Sequence, residues 1–248
     1  MRDNEIDDVL KKAARASLSL DRRILDPIVT SIKSSLRPVR PLPAPWIMTT
    51  GLVAVCAVVS LAGAMRAGFF GFEKMDLLER FVVFPVIAVL VGLSANTFVY
   101  EMIPASRRLF SPTALIAIAV FALVGVFAVL FRDHRIDHFF SVGVVCLITG
   151  ILHAVPAGLM SWLLLRRGFA VSPVAAGWAA GTLAGLAGVG MLELHCPNFE
   201  AAHILVWHTA VVPVSGALGG LTGWSARHLT HSGNRPSSAT SPGRQDSR

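Results

Sequence analysis

Six apolar runs of about 20 residues each, separated by short charged or proline-bearing breaks, constrain this chain more than any other feature. They fall at residues 46–65, 81–100, 112–131, 139–165, 173–194 and 202–224. At about 1.5 Å of rise per residue, a helix of that length covers the ~30 Å hydrocarbon core of a bilayer. Helical winding also pairs every backbone N–H and C=O internally, which lipid demands. The expected fold is therefore an all-α membrane protein with six transmembrane helices. Composition agrees: the chain is 54% hydrophobic and 15% charged, where a soluble domain carries about 25% charged residues. Ser111-Pro112 and Ser172-Pro173 read as N-caps followed by proline at the first helical position. Trp46, Tyr100, Trp162, Trp178 and Trp224 fall near predicted run ends, where an amphipathic ring is favoured.

The basic residues orient the spans. With the N-terminus in the cytoplasm, 17 of the 22 Lys and Arg lie inside, in the two tails and in the Arg107-Arg108 and Arg166-Arg167 loops. The opposite side holds Arg66, Lys74, Arg80, Arg132 and Arg135, and the loop around Cys196 has none. Both termini are expected in the cytoplasm and Cys196 outside. The net charge of +7 thus reflects orientation, with no direct nucleic-acid partner expected. No cleavable signal peptide is visible. The first apolar run, preceded by 45 polar-rich residues, is expected to act as an uncleaved signal-anchor.

Three regions follow: a tail at 1–45, a transmembrane bundle at 46–224, and a Ser-, Pro-, Gly- and Arg-rich tail at 225–248 expected to be disordered. In the N-terminal tail, Ile6, Val9 and Leu10 begin one apolar stripe at helical spacing. Ile28, Val29 and Ile32 belong to a second, opened by Asp26-Pro27 as cap and first turn. RPVRPLPAP, residues 37–45, is an extended spacer. Two short stripes cannot bury a core of their own, so the tail is expected to order against either a lipid surface or a protein partner.

Gly177, Gly181 and Gly185 recur every four residues in the fifth run, and Gly216 and Gly220, with Gly219 and Gly223, do the same in the sixth. Small residues at that spacing let helix backbones approach, either between these two helices or in a homodimer.

The polar chemistry gathers late in the chain. LELHCPNFEAAHILVWH, residues 192–208, places a cysteine, three histidines and two glutamates between two apolar runs. Cys146 lies about two turns into the fourth run, so Cys146 and Cys196 approach one another in depth, and a disulfide is geometrically allowed in an oxidising compartment. Cys56, midway along the first run, reads as a small buried hydrophobe. His153, seven residues after Cys146, shares its helix face. His195, His203 and His153 are candidate metal or hydrogen-bond partners, since Cys and His suit zinc, cadmium or copper; without a metal, His195 and His203 read as hydrogen-bonded interface residues. No C-x-x-C or H-x-x-x-H pair marks a site, so the metal is left unknown. His203 and His208 stand about 140° apart on an α-helix, and a straight helix cannot turn both onto one ion. Glu193 and Glu200 read as solvated loop carboxylates. No phosphate loop and no nucleophile elbow occurs, so no enzyme is expected, and no cofactor beyond transient capture of a heavy metal.

VCLITGILHAVPAGLMSWLLLRRG (145–168), GWAAGTLAGLAG (177–188) and LELHCPNFEAAHILVWHTAVVPVSGALGGLTGW (192–224) resemble the NrsF family, negative regulators of sigma F. Cys146, Pro156, Arg166-Arg167, His195, Cys196, Pro197 and Val206-Trp207 match the family pattern. The resemblance implies a six-helix anti-sigma factor in the bacterial inner (cytoplasmic) membrane. Its cytoplasmic tail would sequester an extracytoplasmic-function (ECF) sigma factor through Ile6, Val9, Leu10, Ile28, Val29 and Ile32. Cys146 and Cys196 would be thiol sensors of envelope stress from oxidants or heavy metals. The alternative class is a small metal or solute transporter using Cys146 and His153 along its path.

Overall fold

A computed structural model of the chain describes residues 8, 11, 12, 26, 27, 29–31, 43–103, 106, 110–133, 139–166, 170 and 172–232, with side chains to residue 227. The chain divides into two units, Met1–Leu42 and Pro43–Arg248. In the first, every described position is helical and exposed, and the Thr30 hydroxyl donates to the Asp26 carbonyl at 2.7 Å. Of the expected sigma-binding residues, Val29 is helical and exposed. Ile6, Val9, Leu10, Ile28 and Ile32 lie outside the described residues.

The second unit is all-helical among the described residues, apart from one isolated bridge between Asp133 and Glu200. Its long helices are α1 (Pro45–Ala67), α2 (Leu77–Glu101), α3 (Pro112–Leu130), α4 (Phe139–Leu165), α5 (Pro173–His195) and α6 (Thr209–Ser232). A short helix, Phe70–Lys74, sits between α1 and α2, and α6 is preceded by Ala201–His203 and a π-helical turn, Ile204–His208. Six helices are long and apolar enough to cross a membrane, the last counted as Ala201–Arg227. Large apolar side chains such as Phe81, Phe121 and Leu152 stay exposed on the bundle's outside, as expected of groups facing lipid.

Local chemistry sets the helix starts. Ser111 and Ser172 each accept a hydrogen bond from the third residue of the helix they open, with proline at the first position, the arrangement expected from sequence. The second span starts four residues earlier than its apolar run, at Leu77 instead of 81. Asp76 accepts from the Glu79 amide at 2.7 Å, and the Glu79 carboxylate accepts from the Asp76 amide at 2.8 Å. This capping box makes Glu79 and Arg80 helical although hydropathy excludes them. The sixth span runs on to Ser232, so residues 225–232, expected in a disordered tail, continue the helix.

α5 is the axis of the bundle. It packs against each of the other five spans and is buried along most of its length, whereas α3 and α4 each bury only a minority of their residues. Its small residues make this arrangement work. A methyl group added at Gly177 would strike the Gly219 carbonyl, and one added at Gly219 would strike the Gly177 carbonyl. The two helices touch backbone to backbone, and the glycine stripe is used between α5 and α6.

Candidate functional site at the α5–α6 turn

α5 ends where Cys196 caps it, its amide donating to the Leu192 carbonyl at 2.7 Å. The loop that follows is clamped from both sides. The Lys74 ammonium donates to the Pro197 carbonyl at 2.9 Å, and His195 Nδ1 meets the Gly68 carbonyl at 3.1 Å. On the other flank the Ala201 amide donates to the Asp133 carbonyl at 2.6 Å, and Phe199 packs on Phe131 with ring centroids 5.4 Å apart. Connections α1–α2 and α3–α4 therefore both hold the segment that carries Cys196.

α4 delivers the second sulfur. Gly143, one turn before Cys146, leaves room for the Trp207 indole, which a side chain at that position would displace. With Trp207 seated there, α4 presents Cys146 to the loop, and the two sulfurs stand 3.6 Å apart. Both cysteines are free thiols. The Cys196 thiol is held above its ordinary pKa, first by the Cys146 thiol beside it and then by burial.

The π-helical turn brings in the histidines. In Ile204–His208 the backbone bonds run i→i+5, a rare geometry found at functional sites, and it places residues five apart one above the other. His203 and His208 consequently face the same way, with ring centroids 5.2 Å apart in an edge-to-face contact. The expectation that they diverge fails because the helix is not α-helical between them. His203 Nε2 lies 3.7 Å from the Cys196 sulfur. One ligand atom from each of Cys146, Cys196, His203 and His208 falls within a group no wider than 4.8 Å.

Glu193 corrects another expectation. It is 2% exposed, not a solvated loop carboxylate, and its Oε1 accepts from His208 Nδ1 at 2.7 Å. No carboxylate in a helix's last turn is favoured by the helix dipole, and the imidazole answers that disfavour directly.

His195 and His153 do not join the group. His195 is spent on Gly68 and stacks beside Phe70 at 6.0 Å. His153 Nδ1 is paired with the Thr149 carbonyl at 2.8 Å, and its ring lies against Gly63 of α1. Cys56 is buried in α1, its sulfur 4.0 Å from the Leu183 carbonyl. Sequence reasoning thus missed Glu193 and His208. Their fifteen-residue separation spans a loop and a π turn, so no spacing rule could pair them. What the sequence does carry is the phase of His208, seven residues before Ser215, whose backbone lies against Gly181 of α5, and so on the same α-helical face.

The family model for NrsF, negative regulator of sigma F, matches residues 33–227. The chain belongs to the NrsF family. That match takes in all six spans and the residues Cys146, Cys196, His203, His208 and Glu193. No curated protein and no solved structure matches the chain. As an NrsF protein it is a negative regulator of a sigma factor, and by length and composition its six apolar helices are those of a multi-pass membrane protein.

Proposed function

We propose that this NrsF protein is an anti-sigma factor of the bacterial inner membrane whose N-terminal tail holds an ECF sigma factor in the cytoplasm. The Cys146–Cys196 pair, facing outward, releases that grip when an oxidant or a thiophilic metal reaches it. The single observation that carries the sensing half is the 3.6 Å separation of two free thiols on different structural elements. A disulfide needs about 2.05 Å, so bond formation draws α4 and the α5–α6 loop together. A peroxide serves as oxidant: the two thiols give up two electrons and two protons, the S–S bond forms, and the peroxide leaves as two waters. α5 touches every other span, so a displacement at its end biases the balance between arrangements of the whole bundle. The distribution of basic residues supports an orientation with both tails inside, where the apolar stripes around Ile6, Val9 and Leu10 and around Ile28, Val29 and Ile32 meet the sigma factor.

Two measurements test this. Cys146→Ser and Cys196→Ser should each alter sigma-dependent transcription and blunt its response to peroxide or cadmium; an unchanged response in both removes the sensor. The full-length protein in membranes should co-purify with a sigma factor, and deletion of residues 1–42 should abolish that. Retention of the sigma factor by the truncated protein would remove the tail's role.

A further inference from the structure

We propose that Cys146, Cys196, His203 and His208 form a closed four-ligand site for Zn2+, held by the reduced protein and oriented by Glu193. The proposal stands on the geometry of these five residues, and its regulatory meaning rests on the thiol-sensing function proposed above.

Zn2+ takes four ligands in a tetrahedron, with Zn–S about 2.3 Å and Zn–N about 2.0–2.1 Å. A tetrahedron of those bond lengths has S···S edges of about 3.8 Å and S···N edges of about 3.6 Å. The two sulfurs here are 3.6 Å apart and the Cys196 sulfur is 3.7 Å from His203 Nε2. Two thiols in simple contact sit at a similar distance, so the histidines decide the matter. Both imidazoles are essentially buried, at 0% for His203 and 1% for His208. His208 uses Nδ1 on Glu193, which leaves Nε2 for the cluster, and that Nε2 has no hydrogen-bond partner. A buried imidazole nitrogen without a partner is costly, and a metal ion is the partner that fits a nitrogen facing two sulfurs. The carboxylate–histidine arrangement is the one that fixes the tautomer of metal-binding histidines. Two thiolates and two neutral imidazoles cancel the charge of a doubly charged cation, and the one remaining negative charge, on Glu193, is held by its hydrogen bond to His208. Four protein ligands leave no open position, so the centre is structural and regulatory in kind.

The π-helical turn acquires a purpose in this reading. Without it His203 would point away from His208, and only three ligands would remain. The elements that supply ligands are α4, the α5–α6 loop, Ala201–His203 and the π turn, so one ion would staple the site end of the bundle. Peroxide would oxidise the two zinc thiolates to a disulfide, taking up two protons as it becomes two waters and setting the ion free. Cadmium would exchange for zinc at the same ligands, since softer cations favour thiolate.

The test uses the full-length protein, purified in detergent under reducing conditions. About one zinc per chain is expected by mass spectrometric metal analysis. Replacement by Co2+ should give the intense visible bands of a tetrahedral centre and a near-ultraviolet thiolate charge-transfer band. Cys146→Ser and Cys196→Ser should each remove about half of the charge-transfer intensity, while Cys56→Ser leaves it intact. His203→Ala should keep the charge transfer and change the visible bands. Glu193→Gln, nearly isosteric, should weaken metal affinity by about 10- to 100-fold, with unchanged helical circular dichroism. A folded, reduced wild-type protein that takes up neither zinc nor cobalt overturns the site, even if its thiols still govern sigma release. Stoichiometric metal with unaltered transcription in both cysteine variants upholds the site and overturns the sensor.

Discussion

His203 and His208 are five residues apart in the chain, yet their rings meet at 5.2 Å. A single π-helical turn between them accounts for this, since it absorbs one residue more per turn than an α-helix. Deleting Leu205 should convert the turn to α-helix and leave the two histidines four residues apart, about 40° around the axis and on one face. Inserting an alanine after Leu205 should instead turn His203 away by about 100°. The expected outcome is that Cys196 is alkylated no faster in the deletion variant, because His203 still covers it, and faster in the insertion variant. Mass spectrometry of timed alkylation measures both; an unchanged rate in the insertion variant counts against the turn as the positioning element.

Glu193 and His208 form a buried pair at 2.7 Å. Truncating one partner strands the other, at a cost of about 3–5 kcal/mol for a buried pair. Glu193→Ala should therefore lower the unfolding temperature in detergent clearly, whereas Glu193→Gln, which keeps an acceptor, should lower it less. Equal shifts in both variants would show that the hydrogen bond to His208 contributes nothing.

Diamide or peroxide treatment of reduced membranes should join Cys146 and Cys196. Alkylation afterwards, in denaturant, should label Cys56 alone, and reduction should restore three labels. Cys146→Ser should leave Cys196 alkylatable after the same oxidation. Protection of Cys196 in that variant would mean a different disulfide partner.

The backbone contact between Gly177 and Gly219 sets the spacing of α5 and α6. Gly219→Leu should disrupt the bundle by more than the 1–3 kcal/mol usual for overpacking, because backbone cannot rearrange as a side chain does. Gly92→Ala is the control: nothing lies within 4 Å of a methyl group there, and alanine is the better helix former. Comparable losses in the two variants would refute the close approach.

The six spans were legible in the chain itself, because a bilayer reads length and hydropathy locally: an apolar run of sufficient length becomes a spanning helix wherever its neighbours sit. The serine-proline starts at residues 111 and 172 were legible for the same reason, each being settled within one turn. Cys146 and Cys196 could be matched in depth, and the motif around His195 and Cys196 named the family. The early start of α2 at Leu77 was hidden because a capping box overrides the hydropathy of Glu79 and Arg80. Tertiary structure alone decided which polar groups meet. Glu193 is buried because α5 is surrounded on all sides, and His203 joins His208 because one turn departs from α-helical geometry. Those outcomes depend on contacts between segments far apart in sequence, whose energies no local pattern of residues records.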